Sequence, residues 1–188
     1  GEIRNVSIRL ALLADDGRVD EAMVQLRLLV DLYEKWIGDR VNEVDELSEH
    51  HRSTGRRHLD ECGKALERMR RGIELLEADP SSDASLAFRM TNRAMLLQAL
   101  ASKAPTRYVH RDTQTNRDVF EPVFSAPDPE SDEGKDRAWR PFQIAFLLMN
   151  IPALSDPYDP GREIVDLIWF PTGGGKTRST SVKLLVGG

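Results

Sequence analysis

The stretch Pro171-Thr172-Gly173-Gly174-Gly175-Lys176-Thr177 has the composition of a phosphate-binding loop. A triphosphate needs a cavity lined by backbone N–H groups, and side chains would block its approach. Glycines remove that obstacle and allow unusual dihedrals. Lys176 is placed to reach the β- and γ-phosphates of ATP, and the Thr177 hydroxyl to ligate Mg²⁺. Thr172, Gly173, Gly174 and Gly175 supply the backbone of the cradle. A helix after Lys176 would aim its N-terminal dipole at the phosphates. Phe170 stands where the full pattern asks for an earlier glycine, which argues against the usual small GTPases and kinases.

A second chemical group lies upstream, in Arg140-Pro141-Phe142-Gln143. A side-chain amide donates and accepts at once, which matches the N6/N7 edge of adenine. Gln143 is the candidate reader of the base, with Phe142 packed beside it. The proline-rich loop that follows would absorb the long spacing to Lys176.

The elements that must position these groups fall into two kinds. Ile164 to Phe170 reads as a buried parallel strand, continuous in apolarity except for Asp166. Trp139 to Met149 predicts a short helix with Pro141 in its first turn, ended by Ile151-Pro152. The chain from 1 to 104 reads instead as a helical module. Its first long helix runs from Asp20 to about Leu47, with Leu26, Val30, Tyr33, Ile37 and Val44 on one stripe. Glu49 to Gly55 predicts an interruption, with Ser53 or Thr54 capping the next helix. That helix carries Leu59, Cys62, Leu66, Met69, Ile73 and Leu76 in steps of three and four. Ser81-Ser82-Asp83 caps a third, with Leu86, Met90, Ala94 and Leu97 expected on its buried side. Residues 105–138 read as a polar linker, with an extended candidate at Val119 to Phe124 and an acidic loop from Ala126 to Gly134. The expected fold class is mainly α: a helical bundle (1–104), a linker (105–138), and the first strand and phosphate loop of a RecA-like α/β motor (139–177). Residues 178–188 are expected to be a frameshifted, non-native or truncated tail.

Composition excludes several classes. The 188 residues are 40% hydrophobic and 30% charged, which is the balance of a folding, soluble chain. Net charge is −5, so any nucleic-acid surface must be local. Cys62 is the single cysteine, which rules out an internal disulfide and fits a reducing compartment. No apolar run reaches the roughly 18 residues that span a bilayer. Gly1 in place of Met points to a processed, tagged or partial sequence.

Weaker constellations have plainer readings. His50 and His51 with Glu49 and His58 suggest solvated or turn residues rather than a metal site. Asp112, Gln114, Asn116, Asp118 and Glu121 echo a calcium loop, but Arg117 sits where that loop demands glycine. Arg52, Arg56, Arg57, Lys64, Arg68, Arg70 and Arg71 could contact a DNA backbone or a partner. Interleaved Glu61, Glu67 and Glu74 favour a solvated helix face with i,i+4 pairs. Cys62 belongs to the apolar seam and lacks a positioned base.

Taken together, Trp139-Arg140-Pro141-Phe142-Gln143 and Val165-Asp166-Leu167-Ile168-Trp169-Phe170 joined to Pro171 through Thr177 resemble the superfamily 2 helicases. Their first motif often reads Pro-Thr-Gly-x-Gly-Lys-Thr. The tracts Arg68 to Leu76 and Ala87 to Met95 narrow the resemblance to the DrmA-type helicase subunits of DISARM anti-phage systems. The resemblance implies ATP- and Mg²⁺-dependent DNA translocation or unwinding (RNA remaining open), with defence-system partner subunits, in a bacterial cytoplasm and off the membrane. It also implies an acidic strand and a second lobe carrying arginines, which this chain does not supply after Thr177, so ATP turnover by the chain alone is not expected. Two other readings stay open: a non-catalytic helical interaction or regulatory module, and a non-helicase P-loop NTPase, which Phe170 and Gln143 together disfavour.

Overall fold

Long amphipathic stretches with few breakers become the two longest elements of the protein. The computed structural model describes Val6 and residues 8–166. Helix α1 (Leu10–Leu13) leads into α2 (Val19–Asp45), α3 (Glu49–Ala78) and α4 (Asp83–Ala101), so the described residues are mostly helical. Leu26, Leu29 and Val30 of α2 face Leu66, Met69, Ile73 and Leu76 of α3, all buried. The expected α3 seam is therefore present from Leu66 onward, while Leu59 and Cys62 are only half-buried.

Helix α3 starts earlier than the sequence predicts. Ser48 ends the turn after α2, and its carbonyl accepts the N–H groups of His51 and Arg52 at 2.9 and 3.0 Å. Glu49 through Gly55 are helical. Gly55 is not a breaker here, because a Cβ on it would lie 2.9 Å from both Cγ atoms of Val44. Its missing side chain lets the end of α2 close against the start of α3, which offsets the roughly 1 kcal/mol that glycine costs inside a helix.

Helix α4 is rotated relative to the expectation. Leu86 and Met90 are exposed (45% and 61%), and Ala94 is exposed too. The buried face is Ser85, Phe88, Thr91, Asn92, Met95, Leu96 and Ala99. Specific polar partners decide this. The Ser82 hydroxyl accepts the Ser85 N–H at 3.2 Å and caps the helix. The Ser85 hydroxyl is shared between the carbonyls of Leu76 and Asp79, at 3.1 and 2.9 Å, at the end of α3. Asn92, fully buried, donates to the Phe88 carbonyl at 2.8 Å and accepts the Trp139 indole N–H at 2.7 Å. Buried polar groups that find such partners lose little on leaving water.

Trp139 arrives there through a short antiparallel pair, β1 (Ile8–Arg9) with β4 (Ala138–Trp139), Ile8 opposite Trp139. Before it, α5 (Asp132–Asp136) occupies part of the expected acidic loop, capped by Ser131. After it, α6 (Pro141–Ser155) is apolar on nearly all sides and packs against α3. One hydrophobic core thus joins residues on both sides of position 139.

Pro152 lies inside α6 rather than ending it. Proline has no N–H, so the Leu148 carbonyl loses its helical donor. That carbonyl faces α3 at Gly72, where a Cβ would come within 2.2 Å of its oxygen. Gly72 and Pro152 together let the two helices touch backbone to backbone.

Between α4 and α5 the polar stretch folds into a hairpin, β2 (Tyr108–Arg111) with β3 (Asp118–Glu121), Tyr108 opposite Glu121 and Arg111 opposite Asp118. The extended candidate at 119–124 is thus partly realised, with a partner strand that the sequence did not announce. The calcium-like spacing serves the turn. Asp112 accepts the Gln114 N–H and the Thr115 hydroxyl at 2.8 and 2.6 Å, and Asn116 adopts φ 54.

Candidate functional site

The expected phosphate loop and most of the expected strand before it lie outside the described residues, so Thr172, Gly173, Gly174, Gly175, Lys176 and Thr177 have no geometry to report. The approach to that loop is described as far as Asp166. Ile164, Val165 and Asp166 have no regular secondary structure, and Val165 is 93% exposed.

Two arginines of α3, one turn apart, hold this approach. Arg68 makes a bidentate pair with Asp166, with both N–O distances at 2.8 Å and both side chains largely buried. The hydrogen bond to Asp166 raises the pKa of Arg68 above its ordinary value, against the opposing effect of burial. Arg71 reaches the buried Asp159 carboxylate at 2.6 Å, and the other oxygen of Asp159 accepts the Gly161 N–H at 2.7 Å. A 3-10 turn, Pro160–Glu163, follows, and its Arg162 donates to the Ala153 carbonyl of α6 at 2.8 Å. The loop after α6 is thereby fastened to both α3 and α6.

The basic run on α3 is mostly committed to partners on other segments. Arg56 pairs with Asp45, and Arg70 with Glu34, both on α2. Among the described residues, the pair within this run that follows the intrahelical pattern is Lys64 with Glu61, at i,i+3. Arg56, Lys64, Arg70 and Arg71 stay largely exposed, as a solvated face requires, but the arginines pair across to α2 and the loop rather than at i,i+4.

Gln143 stands at the start of α6 with 2% of its surface exposed. Its side-chain oxygen accepts the Arg140 backbone N–H at 3.1 Å, satisfying one orphan donor of the helix end. Phe142 beside it is half-buried. The amide therefore helps start the helix that presents it. His50 and His51 are exposed on the first turn of α3, their rings edge to face at 5.0 Å. Cys62 is half-buried against Tyr33, whose phenol ionises later than usual because of burial and then the contact with Cys62. No cluster of three metal-ligating side chains occurs among the described residues.

Comparison with known proteins adds one likeness. The chain is 36% identical over 174 residues to the DISARM protein DrmA of Bacillus paralicheniformis. It resembles one portion of DrmA. The match takes in 92% of this chain but 14% of that protein, so the chain spans about one seventh of DrmA's length. No family model matches. The aligned length is too great to omit the helical core, so α2, α3, α4 and α6 share in the likeness to DrmA. No described helix is long and apolar enough to cross a membrane.

Sequence reasoning missed the Arg68–Asp166 clamp, although the signal was visible. Asp166 is the one charge in the apolar run from Ile164 to Phe170. A lone carboxylate in such a run needs a cationic partner.

Proposed function

We propose that this chain is the helical module and the nucleotide-loop entry of an ATP-dependent DNA helicase or translocase that works in anti-phage defence. The carrying observation is the 36% identity to DrmA across 92% of the chain. In this reading Gly173, Gly174, Gly175, Lys176 and Thr177 hold the phosphates and Mg²⁺, with Thr172 beside them and Gln143 toward adenine. The α3 arginines hold the chain that enters the loop, so the helical module serves as the seat of the nucleotide site. DNA and defence-system subunits are the partners this reading requires.

The test is a Mg-ATP titration of this chain and of the longest natural protein that contains it, each beside Lys176→Ala. The expected result is weak or undetectable binding by the chain alone. DNA-stimulated hydrolysis by the longer protein is expected to fall at least 100-fold in Lys176→Ala. Hydrolysis that ignores the substitution would refute the site. Gln143→Ala is expected to weaken ATP more than GTP in the longer protein. Equal weakening of both would assign Gln143 to the helix start alone.

A further inference from the structure

The β2–β3 hairpin makes no extensive packing on another described element, and all of its strand residues except the half-buried Val119 are exposed. An isolated two-stranded hairpin is marginal in water, so its side chains are not explained by a core. Residues 109 and 111 share a face with 118 and 120, by the observed register and the alternation of strands. Arg107 belongs to that face as well. Its guanidinium lies 5.2 Å from the centre of the Phe120 ring and 5.8 Å from that of Phe124. Those rings remain 52% and 65% exposed.

The charges on this face are arranged unlike those on α3. Arg111 is neutralised by Asp118 at 2.9 Å. Among the described residues no carboxylate pairs with Arg107, whose Nε donates only to the Pro122 carbonyl at 3.0 Å. Arg117, at the tip, likewise has no carboxylate partner among them. The hairpin as a whole is balanced, Arg107, Arg111 and Arg117 against Asp112, Asp118 and Glu121, but alternation puts Glu121 on the opposite face, so beside the rings the charge of Arg107 is left over once Arg111 and Asp118 cancel. Exposed rings with an adjacent free cation suit unpaired bases and their phosphate: each base has a π-face to stack, and the guanidinium takes the backbone charge. A duplex hides its base faces and so offers the rings nothing.

We propose that the face formed by Arg107, Val109, Phe120 and Phe124 binds single-stranded DNA. The choice of DNA over RNA rests on the motor reading above; the stacking site rests on the hairpin alone. Binding is assayed by fluorescence anisotropy of a labelled 20-nucleotide oligothymidine on the whole chain. The same assay is run on Arg107→Gln, Phe120→Ala and Phe124→Ala, each checked by circular dichroism for an unchanged melt.

Loss of a ring is expected to weaken binding about 5- to 100-fold, as a stacked base is worth about 1–3 kcal/mol. Arg107→Gln is expected to weaken it and to flatten its salt dependence. A duplex of the same length should compete poorly. No binding by the intact chain, or binding that survives both ring substitutions, would overturn the proposal. Tighter capture of oligouridine RNA would overturn the assignment to DNA, and recognition of a protein partner with no oligonucleotide affinity would replace it. The nucleotide site is judged by Mg-ATP binding and hydrolysis and the hairpin site by oligonucleotide anisotropy without ATP, so a failure of one and a failure of the other are read separately.

Discussion

Replacing Arg68 by alanine is expected to release the segment around Asp166, ahead of the proposed phosphate loop, without unfolding the helical core. Two unit charges about 4 Å apart attract by about 4 kcal/mol at the effective dielectric of roughly 20 that suits protein sites. Arg68 and Asp166 retain 22% and 19% side-chain exposure, so desolvation cancels much of that attraction. A net coupling of about 1–2 kcal/mol remains, helped by the two-pronged geometry. The single Arg68→Ala change costs more, about 2–3 kcal/mol, because it also leaves the largely buried Asp166 carboxylate without its guanidinium. Most of this cost is local, since the pair joins a loop to α3 rather than core to core. Hydrogen exchange is therefore the right assay. The Ile164 N–H, bonded to the Gly161 carbonyl at 3.2 Å, reports opening of the segment. Its exchange should quicken about 30- to 100-fold in Arg68→Ala, given 1.4 kcal/mol per factor of ten. Arg68→Lys should recover only part of the protection, as an ammonium cannot form the fork. The cycle closes with Asp166→Ala and the double variant. Effects that add to within about 0.3 kcal/mol would mean no coupling and would refute the clamp.

Gly72→Ala should destabilise the chain by about 1–3 kcal/mol in urea, despite alanine's better helix propensity, because its Cβ would meet the Leu148 carbonyl at 2.2 Å. An unchanged midpoint would show that α3 and α6 do not touch there. Trp139→Phe removes the donor to buried Asn92 and is expected to cost about 1–3 kcal/mol; Asn92→Leu added to it should recover part of the loss, and no recovery would refute the polar-pair account. The Glu133 carboxylate is held below its ordinary value of 4.5 by Lys103 and then Arg137. A carboxylate with a depressed folded pKa contributes stability that is present above about pH 4.5 and lost as pH falls through the lower folded value. Thermal melts of Glu133→Gln should then show a shallower loss in that acid window than the parent chain; identical slopes would count against the pairing.

The parts of the fold legible in sequence are those where apolar spacing alone carries the information. Leu66, Met69, Ile73 and Leu76 recur at three and four, and all four are buried. Where polar side chains choose the face, spacing misleads. Leu86, Met90 and Ala94 form as good a stripe as Phe88, Met95 and Leu96, and nothing local separates them. The choice is made by Asn92 reaching Trp139 and by Ser85 reaching the end of α3, contacts whose partners lie far along the chain or around a corner. The same holds for breakers. Gly55 and Pro152 are turn signals taken alone, yet each is accommodated by a close neighbour, Val44 in one case and Gly72 in the other. For the candidate site the order is reversed. Phosphate binding by bare amides constrains residue type directly, which is why Gly173 to Thr177 carry an expectation from sequence although they lie outside the described residues; the position of Gln143 near a helix start was legible from Pro141. What the sequence could not supply was the attachment between them, because a salt bridge such as Arg68–Asp166 has no periodicity. It betrays itself only as a charge in the wrong place. A charge interrupting an apolar run is therefore better read as one half of a tertiary contact than as a flaw in a strand.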